Sequence, residues 1–147
     1  MEENHKVIDI LLVEDNPGDV RLTQEALQGG KLNNNLFVAV DGEDALAFLR
    51  QQGQYSDAPL PDLILLDLNL PKLNGHEVLT EIKKDDNLKH IPVVILTTSE
   101  DEQDIITSYT QYASSYIVKP VSLEKFIQVV ARFKDYWLTV VKYAERD

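Results

Sequence analysis

The sequence predicts an α/β protein, a doubly wound parallel sheet of five strands with five helices on its two faces. Three observations carry that prediction. Short apolar runs lack the alternation of a half-exposed strand, most clearly Leu63-Ile64-Leu65-Leu66 between Pro61 and Pro71, as strands buried on both faces require. Each run is followed by a stretch with helical spacing of apolar positions, so strand and helix alternate strictly. Carboxylates close the first and third runs, Glu14-Asp15 and Asp67, at the sheet edge where ligands collect in such folds.

Composition narrows the function classes. The 147 residues suffice for one domain, and 44% hydrophobic with 27% charged residues is ordinary for a soluble globular chain. The formal net charge of −11 repels nucleic acid and anionic membrane surfaces. With no cysteine, disulfides, thiol catalysis and thiolate zinc sites are excluded. Residues 1–6 form a polar tail without the apolar core of a signal peptide, and no apolar run approaches the roughly 20 residues of a membrane span. The expected location is cytoplasmic, with no membrane partner.

In chain order, Val7–Val13 reads as the first strand. Asn16 caps the following helix, Pro17 takes its first position, Val20, Thr23, Ala26 and Leu27 face inward, and Gly29-Gly30 stops it. Leu36–Val40 is the second strand, and Asp41-Gly42-Glu43 opens a helix carrying Ala45, Leu46, Phe48 and Leu49. Residues 51–61 form a polar loop. After the third strand, Pro71–Gly75 turns into a helix with Val78, Leu79 and Ile82. Ile91–Thr97 is the fourth strand, with Pro92 near its start. Ser99 with Glu102 forms a capping box for a further helix. Ser115–Val118 is the fifth strand. Ser122 caps the last helix, Val121 and Phe126 have staple spacing, and Phe126, Val130, Phe133, Trp137 and Val141 form one stripe. At this length the flavodoxin-like strand order 2-1-3-4-5 is expected, with the first and third strands adjacent at the switch point.

Under that topology Glu14, Asp15 and Asp67 converge on one edge, with Thr97 and Lys119 from neighbouring strand ends. Three close carboxylates need a counter-charge, which a hard divalent cation such as Mg²⁺ supplies. Asp67 could then attack a phosphoryl group, with the Lys119 ammonium and Thr97 hydroxyl neutralising the transferred oxygens. Taken singly, each residue has an ordinary role. Glu14-Asp15 could serve the helix start, Asp67 a turn, Thr97 a strand end, Lys119 the solvated surface and Tyr116 half-buried packing. Their joint placement at consecutive strand ends favours a phosphorylation site. His5, His76 and His90 are expected away from this edge.

The ordered set Glu14-Asp15, Asp67, Thr97 and Lys119-Pro120 resembles the receiver domain of two-component response regulators, CheY-like in fold. Within that family Asp67–Pro71, Val94–Ser99 and Tyr136-Trp137-Leu138 are similar to the stand-alone regulators paired with cyanobacterial phytochrome-type kinases. The resemblance covers roughly residues 7–134, leaving 135–147 as an extension of the last helix. It implies Asp67 as phospho-acceptor, Mg²⁺ held by Asp15, Asp67 and the Asn69 backbone carbonyl, and Glu14 acting through water. It implies Lys119 as phosphoryl contact, Thr97 and Tyr116 as a switch pair, and a cis Lys119–Pro120 bond. Two departures stand out. The acidic pair is Glu-Asp rather than Asp-Asp. Thr98 also replaces a smaller residue, which implies slower dephosphorylation.

The implied partner is a sensor histidine kinase, phytochrome-type, and the protein is not an enzyme beyond its own phosphotransfer and dephosphorylation. Too few residues follow Lys134 for a DNA-binding domain, so output is expected through protein contact. Tyr136, Trp137, Leu138, Val140, Val141 and Tyr143 suggest a homodimer through the last helix and strand. A phosphatase with paired aspartates would need an acid at Asn69, and a nucleotide or flavin binder a Gly-rich loop in place of the acidic Glu14–Gly18. The alternative is a non-phosphorylated interaction module acting through dimerisation alone, which need not bind Mg²⁺.

Overall fold

The computed structural model describes residues 7–28, 33–98, 107 and 113–130. Its strands are β1 (Ile8–Val13), β2 (Asn34–Ala39), β3 (Leu63–Asp67), β4 (Val93–Thr97) and β5 (Ser115–Val118). All neighbours pair in parallel in the order β2-β1-β3-β4-β5, as the alternating pattern requires. The described α-helices are four: α1 (Pro17–Gln28), α2 (Gly42–Leu49), α3 (Gly75–Lys84) and α4 (Leu123–Val130). The fifth expected helix falls in the segment opened by Ser99, outside the described residues except for Thr107, which is helical. The capping box at Ser99, the stop at Gly29-Gly30, His5, and the continuation through Phe133, Trp137 and Val141 also lie outside them.

β3 and β4 are buried at every position, which explains their unalternated apolar runs. One face of the sheet packs Leu11, Val13, Ile64, Leu66 and Ile95 against Ala45, Leu46, Phe48 and Leu49 of α2 and Val78, Leu79 and Ile82 of α3. The other packs Ile10, Leu12, Leu65, Val94, Leu96 and Ile117 against Leu27 of α1 and Phe126 and Val129 of α4. Val129 thus joins the buried side of the last helix, which the stripe through Phe126 and Val130 did not include.

Element boundaries differ from the expectation where side chains stand in for the ladder. β2 starts at Asn34, two residues early, because Asn34 donates to the Leu27 carbonyl and Asn35 to the Asp9 carboxylate, satisfying polar groups on an edge strand. It ends before Val40, whose N–H turns to the Asp44 carboxylate. β4 begins after Pro92, which lacks a donor yet still accepts from Ile64 N–H at 3.0 Å. The 51–61 connection holds a 3₁₀ turn, Gly53–Tyr55, pinned by the Tyr55 hydroxyl donating to Asp44 at 2.7 Å.

Register places the strand ends. Val13 lies opposite Leu66, so Glu14 and Asp15 leave β1 beside Asp67. Asp67 lies opposite Leu96, and Thr97 opposite Val118, which brings Lys119 in from the next strand.

Candidate functional site

Backbone hydrogen bonds hold this carboxyl-terminal edge in place before any side chain acts. Glu14 N–H donates to Ala39 C=O at 2.9 Å, Leu68 N–H to Leu96 C=O at 3.3 Å and Lys119 N–H to Thr97 C=O at 2.8 Å. Asn16 caps α1, its Oδ1 accepting from Asp19 N–H at 3.0 Å, while its own N–H donates to Glu14 Oε2 at 3.3 Å. The Lys119–Pro120 peptide is cis, as expected.

The turn after β3 is fixed by close approach at Gly75. A Cβ there would stand 2.5 Å from the Asp67 carbonyl oxygen and 2.6 Å from Leu68 Cα, so only glycine lets α3 start against the end of β3. Gly75 N–H donates to Leu68 C=O at 3.1 Å, and Asn74 with Glu77 completes a reciprocal capping box. Asn69 N–H reaches back to Asp67 Oδ1 at 3.1 Å. Lys72, at φ 62°, ties the same loop to α2 through Asp41 at 3.5 Å and Glu43 at 3.8 Å.

At the centre stands the Lys119 ammonium. It lies 2.6 Å from Glu14 Oε1, 3.0 Å from Asp19 Oδ2 and 3.3 Å from Asp67 Oδ2. Glu14 and Asp67 are almost fully buried, at 1% and 4% exposure, whereas Asp15 is exposed. Burial pushes the Glu14 carboxyl up to about 7; the Lys119 hydrogen bond opposes this, and Asp67 across the same ammonium reinforces it. For Lys119, burial disfavours the charged form. The bonds to Glu14 and Asp19 and the charge of Asp67 outweigh that, and the ammonium is held above its ordinary value.

Glu14, Asp15 and Asp67 each offer an oxygen, and these lie within 4.8 Å of one another. An all-oxygen carboxylate set open to water on the Asp15 side fits a hard divalent cation, Mg²⁺ or Mn²⁺, and not a soft one. Glu14, Asp15, Asp67 and Lys119 are therefore brought together as the sequence suggested. Thr97 is buried at the end of β4. Tyr116, half-buried, lies opposite Ile95 and on the same sheet face as Thr97.

Two residues at this edge escaped the sequence reading. Asp19 is the third residue of α1, and its place in the first helical turn, four after Asp15, was the available signal. His76 was expected far from the edge. Instead it lines a cleft of about 480 Å³ with Asp15, Asn69, Pro71 and Asn74, because α3 begins directly against Asp67 and His76 is its second residue.

Fold and site together define a receiver: the chain belongs to the response regulator receiver domain family, which matches residues 10–131. It is 48% identical to the response regulator Rcp1 of Synechocystis over 132 residues, 90% of each chain. Among solved structures, the Mn²⁺-bound form of Rcp1 superposes with a TM-score of 0.75 at 49% identity, covering 86% of this chain and 93% of that one. The phosphorylated cyanobacterial phytochrome response regulator RcpA gives 0.76 at 49% identity, covering 90% and 95%. The protein is thus a signalling protein similar to cyanobacterial phytochrome response regulators. No helix among the described residues is long and apolar enough to cross a membrane.

Proposed function

We propose that this receiver accepts a phosphoryl group on Asp67 from a histidine kinase and thereby switches a protein-interaction surface. The observation that carries the reading is the Lys119 ammonium 3.3 Å from Asp67, within a cluster whose carboxylates suit a divalent cation. Asp15, Asp67 and the Asn69 carbonyl would hold Mg²⁺ directly and Glu14 through water; the cation, when bound, neutralises charge on the phosphoryl oxygens. An Asp67 carboxylate oxygen attacks phosphorus in line as the donor's phosphorus–nitrogen bond breaks, leaving an acyl phosphate on Asp67 and a free imidazole on the donor. Lys119 supplies a fixed positive charge at that position, and the Thr97 hydroxyl donates to a phosphoryl oxygen. Burial of Asp67 keeps bulk water off the reacting carboxylate.

A population shift links chemistry to output: the phosphoryl group draws Thr97 inward and Tyr116 follows on the same sheet face. The domain acting in this way spans residues 7–134, and 135–147 extend it. Similarity to phytochrome response regulators supports a phytochrome-type sensor kinase as donor. The edge position of β5 supports output through a homodimer at the last strand and helix.

The test is intact mass after incubation with acetyl phosphate and Mg²⁺, for the parent and Asp67→Asn. One phosphoryl group gained by the parent alone is expected. Gain by neither protein, with folding and Mg²⁺ binding verified, leaves the interaction module in its place. Equal gain by both removes Asp67 as the sole acceptor.

A further inference from the structure

An ammonium has three N–H donors, and that of Lys119 meets three carboxylates, Glu14, Asp19 and Asp67. Two of these acids belong to the oxygen cluster that suits a divalent cation, while Asp19 does not. Cation and ammonium therefore compete for Glu14 and Asp67. Asp19 is the one carboxylate of the three that lies outside the cation cluster.

Its placement fits that part. Asn16 Oδ1 holds the Asp19 backbone at 3.0 Å, and the Asp19 side chain, 35% exposed, reaches the ammonium from the first turn of α1. We infer that Asp19 is a positioning residue that retains the Lys119 ammonium at the site when a divalent cation draws Glu14 and Asp67 away. The inference rests on the proposed cation site. Without Asp19 the ammonium stays on Glu14 and Asp67, and a cation must displace it without leaving it another carboxylate. With Asp19 the displacement is cheaper, and the ammonium remains close to where an incoming phosphoryl oxygen needs it.

A plain extra negative charge would also attract the cation, so the test must separate the two roles. Mg²⁺ affinity is measured by calorimetry for the parent, Asp19→Asn, Lys119→Met and the double variant. Asp19→Asn is expected to weaken binding in the parent by about threefold or more beyond its effect with Met at position 119. Equal effects in the two backgrounds, or tighter binding by Asp19→Asn in the parent, overturn the inference. A parent that binds no Mg²⁺ overturns the cation site itself, and the inference with it. A crystal structure of the Mg²⁺-bound parent reads the same point without a variant. Lys119 Nζ within hydrogen-bond distance of Asp19 is expected, and an ammonium that has left Asp19 overturns the inference.

Discussion

Glu14 and Lys119 meet at 2.6 Å where their side chains are only 2% and 11% exposed. Two buried acids, Glu14 and Asp67, share that one ammonium. Burial therefore lifts the Glu14 carboxyl from 4.5 to about 7, against the pull of Lys119 and with the help of Asp67. Between those values the native state binds a proton that the unfolded chain has released. The group's contribution to stability is thus full below about pH 4.5 and is lost as pH rises through about 7. Urea unfolding of the cation-free protein across this window should show the loss. Glu14→Gln should flatten it, and parallel pH profiles for the two proteins would refute this assignment.

Removing the ammonium has the opposite character. Lys119→Met leaves Glu14 and Asp67 buried without their counter-charge, a change that costs about 3–5 kcal/mol when neither acid can adapt. Glu14 can adapt by taking up a proton, so the loss should be smaller at pH 5 than at pH 8. Millimolar Mg²⁺ should raise the melting temperature of the variant more than that of the parent, because the cation replaces the missing charge. Equal shifts would mean that the cation and Lys119 do not address the same carboxylates.

Gly75 links stability to the site through backbone alone. The atoms that an added Cβ would meet, Asp67 O and Leu68 Cα, cannot yield without moving the residue that carries the reacting carboxylate. Gly75→Ala should cost about 1–3 kcal/mol, as overpacking does, and should slow labelling by acetyl phosphate beyond what the loss of folded protein explains. If the Gly75 variant labels at the parent rate, the approach of α3 to β3 does not position Asp67.

Much of this was legible in the residues. Uninterrupted apolar runs gave β3 and β4 because burial on both faces leaves no polar position to break them. Capping residues Asn16 and Ser122 marked helix starts because each side chain accepts from a backbone donor three residues on; the matching role of Asn74 was hidden in what reads as a turn. The first residues of β2 were not legible, since Asn34 and Asn35 earn their place through partners on α1 and β1 that lie far off in sequence. Asp19 and His76 were missed for a related reason. A first-turn acid and a helix-start histidine look like ordinary surface residues until the register of β1, β3 and β5 brings both helix starts to one edge.

The switch itself yields the last prediction. Thr97 and Tyr116 share a sheet face, Thr97 opposite Val118 and Tyr116 two residues back opposite Ile95, and Tyr116 packs against the core under α2 and α3. A hydroxyl drawn toward a phosphoryl group at Asp67 alters the space beside Tyr116, while alanine has no hydroxyl to be drawn. Thr97→Ala should therefore still gain one phosphoryl group by mass but fail to pass the change on. With 3-fluorotyrosine in all six tyrosines and the Tyr116 signal assigned by Tyr116→Phe, the parent's Tyr116 resonance should move on labelling and that of Thr97→Ala should not. A resonance that moves equally in both proteins would separate Tyr116 from Thr97 and leave the output to a different path.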